Sequence, residues 1–396
     1  MKIAIICYNH FDATIPLSKY LALSAPGIEV EFYFLMSQTY PNVEIINLRG
    51  KDHGIGLIGP DKLSQLIDKE IFDYVEGRVK LNVFMFNSNK LTDFKNYKQL
   101  FEFKKHIIAG KFDMLHFVGN NHWVIMLNYL FRNEPHIHTL HEPYPFVKQS
   151  RYRLIRHRFK INLLIRSNIT ITVPSQVSFD RFNEKFKLPG GFLRLIPFGP
   201  FEIFKMYLKK QVDKQPDMLL YYGYISKYKG IEVLVEAMRK VTTDTPRFKL
   251  VIAGNGTFGH DLSSLNAKVE LINRYLTNEE IAVYNQMANV VVCPYIGASQ
   301  SGVVMTSFAF DNPVIATDVG ALPEVIETGV TGLIVKPNDA DALYKAICDL
   351  FRDPATIDTM RTNVNAKYSD SESSWTGITQ QTYRLYEREL KRRKSA

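Results

Sequence analysis

Residues Pro294–Glu324 read PYIGASQSGVVMTSFAFDNPVIATDVGALPE, and this one run already dictates an α/β architecture. The apolar segment Val290–Cys293 enters it as a strand that Pro294 ends, and a small, hydroxyl-rich loop, Ala298–Gly302, follows. Val303–Phe310 is apolar with helical character, and Val314–Thr317, just after Pro313, is β-branched and short. Strand, loop, helix and strand in that order build a parallel sheet. At the start of the helix, unpaired N–H groups joined by the Ser299 and Ser301 hydroxyls suit phosphate oxygens, although the loop by itself reads first as an ordinary N-cap.

Working outward, the same alternation recurs. Strands are expected at Met218–Tyr222, Lys249–Ala253 and Val269–Leu271 in the second half, with a helix over Ile231–Val241. In the first half they are expected at Lys2–Cys7, Val30–Leu35, Met114–Phe117, His136–Leu140 and Ile169–Val173. Between the halves, Phe201–Asp217 is polar, has no strand-like run and is bracketed by Pro200 and Pro216, so it reads as a linker. The organisation expected is therefore a first domain over 1–200, a linker over 201–217, a second domain over 218–370 and a terminal helix over 371–396, with Trp375, Tyr383 and Tyr386 as its packing anchors. Ligands of open α/β sheets bind beyond the carboxyl ends of the strands, so two such domains facing one another would enclose a cleft.

The chain has 396 residues, 46% of them hydrophobic and 22% charged, a balance that excludes disordered and fibrous classes. Its three cysteines, Cys7, Cys293 and Cys348, are too widely spaced for a disulfide framework or a zinc knuckle, which fits a cytoplasmic setting. The apolar start, MKIAIICYNH, reads as a buried strand because no small-residue cleavage site follows. Net charge is +9, and its placement is uneven: 148–166 carries +7 and 384–394 carries +4, leaving −2 for the rest. No nucleic-acid recognition motif accompanies these patches, so nucleic acid is not an expected partner. Arg151–Arg166 projects as an amphipathic helix with Tyr152, Ile155, Phe159 and Leu163 on one face and Arg151, Arg153, Arg156 and Lys160 as its basic patch. That patch is either a solvated helix face or an attachment to an anionic membrane leaflet.

Two further segments complete the second half. LLYYGYISKYKG, Leu219–Gly230, leads a buried strand through a glycine turn to Lys227 and Lys229, whose ammonium groups either reach a diphosphate over the strand end or, as is commoner for lysines, are simply solvated. LVIAGNG, Leu250–Gly256, places two glycines where a backbone can approach a ligand closely. Taken together with the Tyr275–Ile281 segment, the SQSG loop at 299–302, Pro313–Glu324 and the tail GVTGLIV at 329–335, these features resemble the retaining GT-B glycosyltransferases of family 4. FDMLHF around His116, TLHEP around His141, TVPSQ around Ser175 and IPFGP around Pro197 extend the likeness through the first half.

That resemblance implies a GT-B fold of two Rossmann-like doubly wound domains across a cleft, with the terminal helix returning to the first domain. It implies transfer of a sugar from a nucleotide-diphosphate sugar to a glycan or lipid-linked glycan, in polysaccharide or envelope synthesis, with retention and without a metal or other cofactor. The donor would meet Tyr224, Lys227, Lys229, Gly254, Asn255, Gly256, Arg274, Tyr275, Ser299, Gln300, Ser301, Gly302, Val303 and Thr306. His141, Glu142 and Lys229 would be catalytic, and Asn9, His10, Asp12, His116 and Asn120 would lie on the acceptor side; His116 and Asn120 read equally well as packing residues. Two departures stand out. Tyr224 occupies a position that is usually arginine, with Lys227 as its substitute, and Ala298 and Thr306 fall where the family has a pair of glutamates. The second departure leaves open a sugar-nucleotide-binding protein without turnover, and the fold also admits a sugar-nucleotide epimerase.

Overall fold

The computed structural model describes residues 1–39, 54–143, 151–188, 190–245, 247–263 and 265–395, with backbone alone at 42–43, 46–47 and 151–153. The chain divides into two compact units, residues 1–198 with 375–396, and residues 199–374.

The first unit runs β1 (Lys2–Cys7), α1 (Phe11–Ser24), β2 (Glu29–Ser37), β3 (Asn42–Val43), β4 (Ile46–Asn47), β5 (Gly56–Leu57), α2 (Pro60–Leu66), α3 (Lys69–Val75) and β6 (Val79–Phe86). It continues through α4 (Phe94–Ala109), β7 (Met114–Val118), α5 (His122–Leu130), β8 (His136–Thr139), α6 (Arg151–Ile165), β9 (Thr170–Val173), α7 (Gln176–Phe186) and β10 (Leu193–Leu195). Among the described residues its main sheet has the order β10-β9-β8-β7-β1-β2-β6-β5, parallel except where β5 meets β6. β1 is apolar on both faces, with Ile3 to Cys7 fully buried, because helices cover the sheet on both sides. Connections through α4, α5 and α6 step one way along the sheet and that through α1 steps the other. With right-handed crossovers the first three helices therefore share one face and α1 lies on the opposite one.

The second unit begins with a 3-10 turn, Glu202–Tyr207, and then runs β11 (Met218–Tyr222), a 3-10 turn at Lys227–Lys229, α8 (Ile231–Arg239), β12 (Lys249–Ala253), β13 (Lys268–Ile272) and α9 (Asn278–Met287). β14 (Val290–Cys293), α10 (Gly302–Ala309), β15 (Val314–Thr317), α11 (Leu322–Val325), β16 (Gly332–Val335), α12 (Ala340–Arg352) and α13 (Pro354–Ser369) complete it. The sheet is parallel throughout, in the order β13-β12-β11-β14-β15-β16. Its core packs Leu234, Met238, Leu343 and Ile347 of α8 and α12 over Leu219, Ile252 and Val292. Both units are thus Rossmann-like α/β folds, as expected.

Three expectations need correction. The segment 201–217 is not a free linker: Ile203, Phe204 and Tyr207 are buried, the Glu202–Tyr207 turn packs on α9 and α10, and the Gln215 N–H donates to the Met287 carbonyl (2.8 Å). Apolar side chains hidden in a charged stretch gave it that place. β6 was not expected at all, because Lys80 and Asn82 interrupt its run; Lys80 is exposed and pairs with Glu31 (3.1 Å), while the Asn82 amide donates to the Phe32 carbonyl (3.4 Å). β16 was likewise not anticipated as a strand. The terminal helix, α14 (Trp375–Lys394), returns to the first unit and packs along α1. Trp375 and Tyr386 are its buried anchors, whereas Tyr383 is half-buried.

Candidate functional site

Strand order fixes where each unit can hold a ligand. In the second unit β11 sits between β12 and β14, so the chain leaves β11 in one direction and returns on its other side, opening a crevice beyond the carboxyl ends of β11 and β14. Three loops meet there. After β11, Gly223 (φ 113°) turns the chain into Tyr224–Ser226, and the Lys227–Lys229 turn ends at Gly230 (φ 73°), the N-cap of α8. After β12, Gly254 (φ 153°) and Gly256 press against this turn: a Cβ on Gly254 would lie 1.8 Å from the Gly223 carbonyl oxygen, and one on Gly256 would lie 1.9 Å from that of Ile225. The Ile225 N–H donates to the Asn255 carbonyl (2.9 Å), so the two turns are locked together. After β14, the Ile296 N–H donates to the Tyr228 carbonyl (2.9 Å), which ties the lysine turn to the loop leading into α10.

Tyr295 joins the charged and hydroxyl parts of this site. Its buried ring lies under the Lys229 ammonium, 3.8 Å from centroid to Nζ, and its hydroxyl shares a 3.2 Å hydrogen bond with the Ser301 hydroxyl. Burial pushes the Tyr295 phenol well above its ordinary value, so it stays neutral beside the lysine. Ser301 caps α10 by accepting from the Val304 N–H (3.4 Å), and the first-turn N–H groups of Gly302 and Val303 have no partner within the helix. The Ser226 hydroxyl and the Gln300 amide nitrogen are buried without a hydrogen-bond partner. An ammonium, helix-start amides and two unsatisfied polar side chains around one crevice suit an anion with several oxygens.

Other residues expected at the donor stand differently. Lys227 is exposed and faces Glu232 at 3.9 Å. Arg274 is engaged by Glu280, which also completes the Thr277 capping box, and this pairing holds the Glu280 carboxyl down to about 2. Tyr275 is exposed; Ser299 and Thr306 are buried, Thr306 beside the Tyr222 hydroxyl, which donates to the Val303 carbonyl (3.1 Å). Sequence reasoning passed over Tyr222 and Tyr295; the aromatic directly after Pro294 was the available signal.

In the first unit the order reverses at β1, between β7 and β2, so the loops after β1 and β7 border its crevice. His10 takes a left-handed conformation (φ 62°) and stacks on His141, centroids 3.9 Å apart and planes 3° from parallel, while Phe198 stacks at 4.4 Å on His141. The His141 Nε2 and the Asn9 Oδ1 are buried without partners. Burial, reinforced by His10, His116 and His138, holds His141 well below its ordinary value, so the ring is neutral. Glu142 is exposed, and Asp12 accepts from the Ala13 N–H (2.9 Å) at the start of α1.

His116 is placed as a packing residue. One ring nitrogen meets the Tyr386 hydroxyl and the other the Thr139 hydroxyl, each at 2.7 Å, which uses both hydrogen-bonding positions inside the unit. The basic patch also changes. Lys160 turns inward, donating to the Asn120 carbonyl (2.6 Å), and burial lowers its ammonium to about 8. Ile161 and Leu164 form the buried face of α6, leaving Ile155 and Phe159 exposed with Arg156. The side chains of Arg151 and Arg153 lie outside the described residues.

Comparison with known proteins bears on the fold. Residues 216–353 match the family described as Glycosyl transferases group 1. A D-inositol 3-phosphate glycosyltransferase of Pseudarthrobacter chlorophenolicus is 32% identical over 182 residues, 43% of this chain and 43% of that protein. The chain spans about half the length of the curated relatives it matches. Among solved structures, sucrose-phosphate synthase from Thermosynechococcus elongatus superposes with a TM-score of 0.63 at 20% identity, covering 98% of this chain and 99% of that one. HepE of Anabaena in complex with UDP-glucose gives a TM-score of 0.63 at 15% identity, covering 98% and 100%. The chain therefore has the GT-B fold of glycosyltransferases, and its second unit carries the group 1 match.

Proposed function

We propose that the protein is a family 4-like glycosyltransferase that moves a sugar, with retention, from a nucleotide-diphosphate sugar to a glycan or lipid-linked glycan in polysaccharide or envelope synthesis. The observation that carries this reading is the loop cluster of the second unit, where the Lys229 ammonium sits over the Tyr295 ring, the Tyr295 hydroxyl meets Ser301 at the start of α10, and the neighbouring Gln300 amide nitrogen is buried and unsatisfied. HepE has been crystallised with UDP-glucose, which supports a nucleotide sugar as the donor.

In the reaction the leaving diphosphate gains charge as the glycosidic bond to the donor breaks. Lys229 and the Gly302 and Val303 amides stabilise that charge in place, the task a metal performs elsewhere. Turnover is accordingly expected to survive chelation. His141, neutral and with Nε2 unsatisfied, offers a hydrogen bond to a sugar hydroxyl rather than a positive charge. The protein works in the cytoplasm on the inner face of the membrane, with α6 facing anionic lipid.

The test is a thermal-shift screen against UDP-, GDP-, ADP- and CMP-sugars, since a ligand that binds the folded state raises its melting temperature. Lys229→Ala is expected to weaken the donor that responds by roughly 10- to 100-fold, from loss of a charge-assisted hydrogen bond of about 1.5–3 kcal/mol. An unchanged shift in this variant refutes the site. Ala298 and Thr306 place no carboxylate at the loop and favour a second reading, donor binding without turnover; absence of both transfer and donor hydrolysis in the presence of acceptor glycans would select it. An isomerised donor would select the epimerase instead.

A further inference from the structure

Single exposed apolar side chains are ordinary, but α4 presents a row of them. Phe94 is 84% exposed, Phe101 53% and Ile108 54%, and their spacing of seven residues aligns them along one outward stripe of the helix. The opposite face of α4, with Leu100, Phe103 and Ile107, is buried in the core, so the helix is apolar on two sides. Its charged residues are Lys95, Lys98, Lys104 and Lys105 against Glu102 alone. α5 packs against both α4 and α6, and all three lie on the same face of the sheet. On α6, Leu154 is 45% exposed and Ile155 and Phe159 are each 68% exposed, in a helix with five basic residues and no acid.

We propose that α4 and α6 together form a face that docks on an anionic bilayer, with Phe94, Phe101 and Ile108 entering the boundary between headgroups and acyl chains. Apolar side chains ringed by lysine and arginine are the make-up of a helix lying in that boundary, where the charges meet anionic headgroups and the rings leave water. Charge argues against a second copy of the chain as occupant, because two such faces brought together would set lysine against lysine. No helix among the described residues is long and apolar enough to cross a membrane, so the attachment is to one leaflet. This proposal extends the membrane part of the reading above by adding a second, apolar anchor to the α6 charges, and it is independent of the donor chemistry.

The experiment is sedimentation of the full chain with vesicles of phosphatidylcholine alone or with 30 mol% phosphatidylglycerol, at low and high salt. The wild-type chain is expected to pellet with the anionic vesicles only, less so as salt rises. The triple variant Phe94→Ser, Phe101→Ser, Ile108→Ser keeps every charge and is expected to lose about tenfold or more in vesicle affinity. The pair Arg156→Gln and Arg158→Gln is expected to flatten the salt dependence. An unchanged affinity in the triple variant overturns the α4 anchor even if the α6 pair still matters, and no binding by the wild-type chain overturns the membrane reading as a whole. A wild-type dimer that the triple variant abolishes, without loss of vesicle binding, assigns the stripe to self-association and also overturns the proposal. The substituted positions are solvent-exposed, and the donor-induced thermal shift, which reads the second unit, is expected to be the same in all variants.

Discussion

Lowering the pH from 7.5 to 5 should destabilise the first unit selectively. Nine of the ten histidines lie there, and the second unit holds His260 alone. Burial holds His116, His136 and His138 near 3, and His141 well below its ordinary value. His136 donates to the Glu134 carbonyl and His138 to the Gly119 carbonyl, each at 2.7 Å, and in both rings the other nitrogen is buried with no partner to accept a second proton. In the unfolded chain these rings titrate near 6.5, so between 6.5 and about 3 the unfolded state binds more protons, and stability falls as pH falls. Above pH 6.5 the contribution is complete; at pH 5 each ring has lost about 2 kcal/mol, and the three near 3 together about 6 kcal/mol, with His141 acting in the same direction. Domains are stable by only about 5–15 kcal/mol in total.

Both tryptophans, Trp123 and Trp375, lie in the first unit, so their fluorescence reports that unit while far-ultraviolet circular dichroism reports both. In urea titrations the tryptophan midpoint should fall by roughly 2 M between pH 7.5 and 5 at a slope of about 2–3 kcal/mol/M. At pH 5 the circular dichroism should then show a second transition at higher urea. A tryptophan midpoint independent of pH in this range would show that the rings are not held neutral by burial, and the reasoning would be wrong.

Two substitutions examine the crevice of the second unit. Gly230→Ala should cost about 2–4 kcal/mol, because the residue has φ 73° and a Cβ there would lie 1.7 Å from the Pro294 carbonyl oxygen; Gly259→Ala, with nothing within 4 Å, is the neutral control, and thermal melts compare them. Tyr295→Leu removes the ring beneath Lys229 and should weaken donor binding about 3- to 30-fold by calorimetry, whereas Tyr295→Phe keeps the ring and should cost less; equal affinities for the two variants would exclude the ring contact.

Several strands could be read from the chain to the residue. Lys2–Cys7, Met218–Tyr222, Lys249–Ala253, Val290–Cys293 and Val314–Thr317 are short apolar runs buried on both faces, and nothing in their sequence competes with that reading. Val79–Phe86 was lost because Lys80 and Asn82 look like breaks, yet one reaches solvent and the other bonds to the neighbouring strand. The lysine turn and the SQSG loop were legible because glycines mark tight backbone approaches. By contrast, the stacking of His10 on His141 joins residues 131 positions apart, and no local pattern announces it. Periodicity alone set Ile155 and Phe159 of α6 on an apolar face, but which face the sheet would cover was decided by Ile161 and Leu164.

The return of α14 to the first unit bears on how the protein is made. A growing chain that has left the ribosome as far as residue 374 contains the whole second unit, whereas His116 still lacks the Tyr386 hydroxyl and α1 still lacks the helix that lies along it. The half synthesised first is thus completed second. Until Trp375–Lys394 emerges, its apolar α1 surface stands open to chaperones, and to other nascent chains, during translation.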